Sequence, residues 1–316
     1  MKVFTKPNDI NDLDAFIGLA KEYKKDPYKT NKLGENKTIC LVFCNPSLRT
    51  RISMQKAAFN LGMKTIVFDL SKDGWQLETE EGVIMDGSSQ EHIKEAISVI
   101  SSYVDIIGIR SFPKLKNREE DYQDNFLKDV VKYSEVPVIS MESAIHHPLQ
   151  SLADLMTINE LANKKDPKIV LTWAPHPKAL PQAVPNSFVE IMKESGHNIL
   201  VANPPGFDLD KKILGNVEVV HNQKEALKEA DFIYVKNWSS VENYGLVGKG
   251  YEDWIMDESK LRSSNNAKVL HCLPVRRNVV ISDEVLDGPN SVVHQQAKNR
   301  EYAAQAVIAK ILEDEE

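Results

Sequence analysis

The sequence predicts an α/β protein made of two doubly wound parallel-sheet domains. Three observations lead there. The chain has 316 residues, and at roughly 100–200 residues per domain two is the natural count. Short apolar runs recur without polar alternation, as in strands buried on both faces. Amphipathic stretches lie between them, and strand–helix alternation is the pattern of a parallel sheet.

Taken in order, strands are expected at residues 38–43, 65–70, 104–109, 136–139, 169–173, 199–201, 232–235 and 268–270. Helices are expected at 50–61, 91–102, 121–133, 149–162, 186–195 and 223–230. A last helix at 299–313 places Ala303, Ala304, Val307, Ile308 and Ile311 on one face. The helix at 149–162 runs into Asn163-Lys164-Lys165-Asp166-Pro167, a polar stop followed by proline. It is therefore expected to link a first domain (1–148, plus a C-terminal helix segment 298–316 packing back on it) to a second (149–297). Pro175, Pro177, Pro181 and Pro185 crowd one connection. That spacing predicts a stiff, extended segment with neither helix nor central strand. It is either a rigid loop or a preshaped wall presenting His176 and Lys178.

Composition narrows the function classes. The 39 basic and 46 acidic residues give a net charge of −7 with no basic block, which argues against nucleic acid as a partner. No apolar run has the length of a membrane span, and the start Met1-Lys2-Val3-Phe4-Thr5-Lys6 lacks the apolar core of a signal peptide. Membranes are thus not an expected partner. Three cysteines, Cys40, Cys44 and Cys272, suit neither a disulfide framework nor a zinc site. No metal is expected, and a reducing cytoplasm is the expected setting.

The chemistry gathers at strand ends, where open parallel sheets bind ligands. Ser47-Leu48-Arg49-Thr50-Arg51 follows the first strand, Arg110 the third, and Glu142 with His147-Pro148-Leu149-Gln150 the fourth. His176 and Lys178, then Lys236, then His271-Cys272-Leu273-Pro274 with Arg276 follow the later ones. Such clusters suggest one composite cleft. The turn 47–51 reads either as an anion cradle, with free helix N–H groups, hydroxyls and a guanidinium, or as a helix start capped by Ser47 or Thr50. It is no Walker loop, and no GxGxxG opens a helix. His147 could donate to a carbonyl oxygen beside Gln150, or be structural. Cys272, with cationic neighbours, is either an activated thiol or a buried structural one.

These residues resemble a known family. Ser47-Leu48-Arg49-Thr50-Arg51 is similar to the S-x-R-T-R signature of the aspartate/ornithine carbamoyltransferases. His147-Pro148-Leu149-Gln150 is similar to their H-P-x-Q motif, and His271-Cys272-Leu273-Pro274 to the H-C-L-P motif of the ornithine branch. The ornithine branch carries an aspartate and an S-M-G motif for a free α-amino group. Here the stretch reads Tyr234-Val235-Lys236-Asn237-Trp238-Ser239-Ser240, with a cation where an ammonium would need an anion. Together with Trp173–Pro177, this resembles the N-acyl-ornithine carbamoyltransferases.

The resemblance implies carbamoyl transfer from carbamoyl phosphate to the δ-amine of an N-acylated ornithine, in arginine biosynthesis, without a cofactor. It implies a homotrimer with shared active sites, and a knot around the proline-rich segment. Ser47, Leu48, Arg49, Thr50 and Arg110 would hold the phosphate. Arg110, His147, Thr50 and Arg300 would face the carbonyl oxygen. Gln150 with the carbonyls of Cys272 and Leu273 would take the carbamoyl NH₂. Glu142, His176, Lys178, Lys236 and Arg276 would hold the acyl-ornithine, and Cys272 would polarise or help deprotonate the amine. Trp75 would reach a neighbouring subunit's site, or be a surface-packed aromatic. Acetyl-specific members place a glutamate where Gln90 stands and a lysine where Val280 stands. Succinyl-specific ones carry a proline, an aliphatic residue and, opposite Lys178, a basic residue. Val280 and Lys178 agree with the second pattern and Gln90 with neither. A neutral Gln90 near cations would admit a second carboxylate that glutamate would repel. The expected substrate is therefore N-succinyl-ornithine, with N-acetyl-ornithine the alternative, and a non-catalytic anion-binding member a more distant one.

Overall fold

The computed structural model describes residues 1–70 and 72–315. Glu316, the last residue of the expected C-terminal segment, lies outside the described residues. The chain forms two compact units, the first comprising residues 1–113, 122–149 and the chain from Arg300 on, the second residues 114–121 and 150–299. Sequence reasoning placed 114–121 in the first domain. It groups with the second because Arg118 is ion-paired with Asp210 and the Tyr244 hydroxyl donates to Asp121 Oδ2 at 3.1 Å.

The first unit contains β1 (Val3–Phe4), β2 (Thr38–Phe43), β3 (Lys64–Asp69), β4 (Leu77–Glu78), β5 (Glu91–His92), β6 (Ile106–Arg110) and β7 (Val138–Glu142). Five of them make a parallel sheet in the order β1-β7-β6-β2-β3, and β4 pairs with β5 in a small parallel ladder. On one face Cys40, Val42, Ile107, Ile109 and Val138 pack against Ile93, Ile97, Leu127 and Val130 of the following helices. Strand order reverses between β2 and β6, so the switch point lies where Phe43 stands opposite Arg110.

The second unit contains β8 (Ile169–Trp173), β9 (Ile199–Ala202), β10 (Glu218–Val220), β11 (Phe232–Lys236) and β12 (Lys268–Leu270), all parallel in the order β10-β9-β8-β11-β12. Its switch point falls between β8 and β11, where Trp173 stands opposite Lys236. The buried indoles tie down the chain beyond: Trp173 Nε1 donates to the Trp238 carbonyl at 3.0 Å, and Trp238 Nε1 to the Phe207 carbonyl at 2.8 Å.

Four local expectations are corrected. The helix expected at 121–133 is two, Arg118–Gln123 and Asn125–Tyr133, broken at Asp124 with φ 50. Aspartate tolerates that left-handed conformation, and its carboxylate accepts from the Ala144 N–H at 3.4 Å. The helix expected from 186 starts at Ala183 and takes Pro185 into its first turn, where a missing N–H costs nothing. The rest of the proline-rich segment is pinned to the later chain: Ser239 N–H donates to the Leu180 carbonyl at 3.0 Å, and Gln182 Nε2 to the Ser239 carbonyl at 2.7 Å. Strand β7 is displaced toward its C-terminal end, so Glu142 closes the strand rather than following it. The last helix is Val293–Glu313. Its first turns carry buried Gln296 and Asn299, which hide the apolar period. Its later part packs in the first unit, where Asn60 Nδ2 donates to Glu301 and Gln305, each at 2.9 Å.

Helix Arg49–Asn60 ends on Gly62, whose φ is 86 and whose missing Cβ would lie 2.2 Å from the Asn31 carbonyl oxygen. Both a side-chain clash and left-handed strain therefore oppose Gly62→Ala, with an expected cost of about 2–3 kcal/mol. A urea midpoint equal to that of the wild type would contradict this.

Candidate active site

At the first switch point β2 runs into the turn 44–48 and then helix Arg49–Asn60. Leu48 occupies the N-cap and offers no side-chain bond, and the first helical bond is Ile52 N–H to the Leu48 carbonyl at 3.1 Å. Neither Ser47 nor Thr50 caps this helix. Instead the Thr50 hydroxyl, 2% exposed, accepts from Arg300 at 2.6 Å, which leaves its own proton to donate. The N–H groups of the first turn precede any helical acceptor, and the helix dipole favours an anion there.

Arg110 ends β6 at a register shift of the β6–β7 pair, which sets it opposite Glu142. Its Nε and one terminal nitrogen donate to Glu142 Oε2 at 3.1 and 2.9 Å. The other terminal nitrogen donates to the Asn45 and Pro46 carbonyls at 3.1 and 3.0 Å, and the guanidinium stacks 4.2 Å from the Phe112 ring centroid. Arg110 thus braces the backbone leading into Ser47. His147, 4% exposed, lies with Nε2 3.5 Å from Glu142 Oε2. The first unit therefore brings together the turn 47–51, Arg110, Glu142, His147 and Arg300. Glu142, expected to hold the acyl-ornithine, has Arg110 and His147 as its neighbours here.

On the second unit, Lys236 ends β11 and is 8% exposed. No carboxylate pairs with it among the described residues. His176 follows β8, with Nδ1 2.8 Å from the Lys178 carbonyl oxygen. Burial holds its pKa below the ordinary histidine value, helped by the positive charges of Lys236, Arg276 and Lys178. These four expected residues thus share one electropositive region. A buried ammonium without an anion is costly, so an anionic group such as a carboxylate would be favoured there.

Cys272 is 9% exposed and lies beside Tyr234, whose phenol is pushed well up by burial, Asp154 and Cys272. Of the two arginines that follow, Arg277 is committed to Asp283 and Asp287 at 2.7 Å each. His271 Nδ1 accepts from the Leu273 N–H at 2.8 Å, closing the turn at the cis Leu273–Pro274 bond. Gln150 is 1% exposed and its Nε2 donates to Asp154 at 2.7 Å. Sequence reasoning missed Asp154, Tyr234 and Gln296 because they sit inside apolar or unremarkable helical and strand segments. The only signal was Asp154 standing one turn after Gln150.

Trp75 and Gln90 flank the β4–β5 ladder. Trp75 is 51% exposed with Nε1 donating to Glu91 at 3.0 Å, and the Gln90 N–H donates to the Gln76 carbonyl at 3.2 Å.

Comparison with known proteins gives the family. Residues 2–160 match the carbamoyl-P binding domain model of the aspartate/ornithine carbamoyltransferases, and residues 181–311 match their Asp/Orn binding domain model. The chain belongs to the aspartate/ornithine carbamoyltransferase family. As a carbamoyltransferase-family member it is 48% identical to the N-succinylornithine carbamoyltransferase of Bacteroides fragilis (strain 638R), over 99% of each chain. It is 38% identical to the N-acetylornithine carbamoyltransferase of Xanthomonas axonopodis pv. citri (strain 306), over 95% of this chain and 93% of that one. A mutant N-acetyl-L-ornithine transcarbamylase complexed with carbamyl phosphate and N-succinyl-L-norvaline superimposes with a TM-score of 0.93 at 36% identity, covering 98% of this chain and all of that one. The transferase fold and two parallel-sheet domains expected from the sequence are thus established.

Proposed function

We propose that this carbamoyltransferase moves the carbamoyl group of carbamoyl phosphate to the δ-amine of N-succinyl-L-ornithine, giving N-succinyl-L-citrulline and phosphate in arginine biosynthesis. The observation that carries this reading is Lys236, a buried cation with no carboxylate partner among the described residues, at the switch point of the second sheet. An acylated α-nitrogen removes the positive charge that would repel it, and the α-carboxylate supplies its missing anion. The full-length likeness to a protein named for the succinyl substrate supports the acyl group.

In this reading Ser47, the Leu48 N–H, Arg49, Thr50 and Arg110 hold the phosphate. His147, Thr50, Arg110 and Arg300 donate toward the carbonyl oxygen. Gln150 and the Cys272 and Leu273 carbonyls accept from the carbamoyl NH₂. Lys236 and Arg276 take the α-carboxylate, while His176 and Lys178 take the succinyl tail. The neutral δ-amine attacks the carbonyl carbon, a tetrahedral intermediate forms, the carbon–oxygen bond to phosphate breaks, and the amine gives up a proton. Cys272 polarises or assists that deprotonation. Holding two substrates in attacking geometry supplies up to ~7–11 kcal/mol, and donors aimed at the oxyanion supply a further ~3–4 kcal/mol each.

We further propose that the enzyme works as a cytoplasmic homotrimer whose Trp75 serves a neighbouring copy's site. Leu48, Ile52 and Phe59, at 67, 58 and 64% exposure along one helix face, form an apolar stripe that a second copy would cover.

A ureido-product assay with ornithine, N-acetylornithine and N-succinylornithine in parallel tests the substrate. At least a tenfold advantage in kcat/KM for the succinyl compound is expected, and equal or better use of the acetyl compound would replace this reading with the alternative. If Gln90 is the selector that the family resemblance implies, Gln90→Glu would set a carboxylate against the succinyl tail. It should shift the succinyl-to-acetyl ratio of kcat/KM about tenfold toward acetyl, and an unchanged ratio would remove Gln90 as a selector.

A further inference from the structure

The structure assigns Asp154 as the positioning residue that fixes which end of the Gln150 amide meets the carbamoyl group; this rests on the carbamoyl-transfer reading above. Asp154 is fully buried in helix Pro148–Leu161. Its Oδ1 accepts from two amides at once, Gln150 Nε2 at 2.7 Å and Gln296 Nε2 at 2.6 Å. An ionised carboxylate can only accept. Turning the Gln150 amide over would bring two acceptor oxygens to 2.7 Å, so its NH₂ is held toward Asp154 and its Oε1 away. That Oε1 is buried and makes no hydrogen bond among the described residues. It is an acceptor kept in reserve, and the group it suits is an N–H donor such as the carbamoyl NH₂.

The same carboxylate reaches the other acceptors proposed for that NH₂. With Gln296 Nε2 turned to Asp154, its Oε1 accepts the His271 N–H at 2.9 Å, and His271 Nδ1 accepts the Leu273 N–H at 2.8 Å. Asp154 therefore orders Gln150 directly, and the Cys272–Leu273 turn through Gln296 and His271. Tyr234, kept protonated by burial and by Asp154 and Cys272, stands beside them without adding a charge. All of these groups lie in the second unit.

The arrangement discriminates carbamoyl phosphate from phosphate, because only the former has an NH₂ to offer. In Asp154→Leu the carbamoyl phosphate KM should rise at least tenfold and kcat fall at least thirtyfold, while the inhibition constant of inorganic phosphate stays within twofold. In a Gln150→Leu background the further effect of Asp154→Leu should be several-fold smaller than in the wild type, reduced to the share carried through Gln296 and His271. Asp154→Asn, which keeps an acceptor oxygen, should recover most of the loss. Equal weakening of both anions, or additive effects in the cycle, would overturn the assignment.

A second variant is independent of how Asp154→Leu folds. Gln150→Glu keeps an acceptor toward the substrate but sets two carboxylates face to face, with Tyr234, Cys272 and the Gln296 amide the other groups around them. One proton must then be shared, so its rate relative to the wild type should fall as pH rises, and Asp154→Asn should relieve that fall. A flat ratio would overturn the inference. A wild-type enzyme forming no ureido product would overturn the parent reading, and this inference with it.

Discussion

Arg110→Ala is expected to lower kcat/KM by about three orders of magnitude and to destabilise the first unit as well. The two losses have separate causes. The expected rate loss comes from removing the donor proposed for the phosphate and carbonyl oxygens, ~10²–10³ for one such group, compounded by release of the Asn45 and Pro46 carbonyls that shape the turn. The stability loss follows from Glu142. Both side chains of the pair are 8% exposed, and a buried carboxylate stripped of its partner costs ~3–5 kcal/mol. Arg110→Ala/Glu142→Gln should therefore recover the thermal midpoint while leaving the rate defect in place. Ureido-product kinetics and thermal unfolding measure the two separately. A double variant with recovered activity would mean that Arg110 serves the fold alone.

Lys236→Met is expected to behave in the opposite way toward stability. The KM for the acyl-ornithine should rise roughly ten- to a hundredfold, the loss expected when a charge-assisted bond of ~1.5–3 kcal/mol disappears. The carbamoyl phosphate KM should barely move. The free enzyme should be at least as stable as wild type, because the substitution removes a buried ammonium that has no carboxylate partner among the described residues and puts a methionine of similar length in its place. Unfolding midpoints without substrate, with initial rates against acyl-ornithine, check both halves. A destabilised variant with unchanged KM would mean that the charge is satisfied within the protein and that the carboxylate is held elsewhere.

Legibility of the site varied with the length scale of the interaction. The strands at 38–43, 169–173 and 268–270 stand where the apolar runs placed them, since a strand buried on both faces advertises itself in consecutive residues. The turn 47–51 was legible as a motif, but its alternative reading as a capped helix start was not resolved locally. That choice depends on Arg300, 250 positions away, whose bond to the Thr50 hydroxyl gives that side chain a different task. The break at Asp124 was invisible for a similar reason, because the group that accommodates it is Ala144 on another stretch of chain.

By itself the amino-acid sequence determined the parallel α/β architecture, the strand-end location of the polar clusters, and the chemical types gathered there. Buried strands and the motif at 47–51 are written in neighbouring residues. Tertiary structure alone decided the distant partners: Glu142 for Arg110, Arg300 for Thr50 and, across 142 positions, Gln296 for Asp154. The first follows from strand register and the other two from helix packing, each bringing distant side chains into hydrogen-bond reach. A buried donor or acceptor is then compelled to take whichever partner that register or packing supplies.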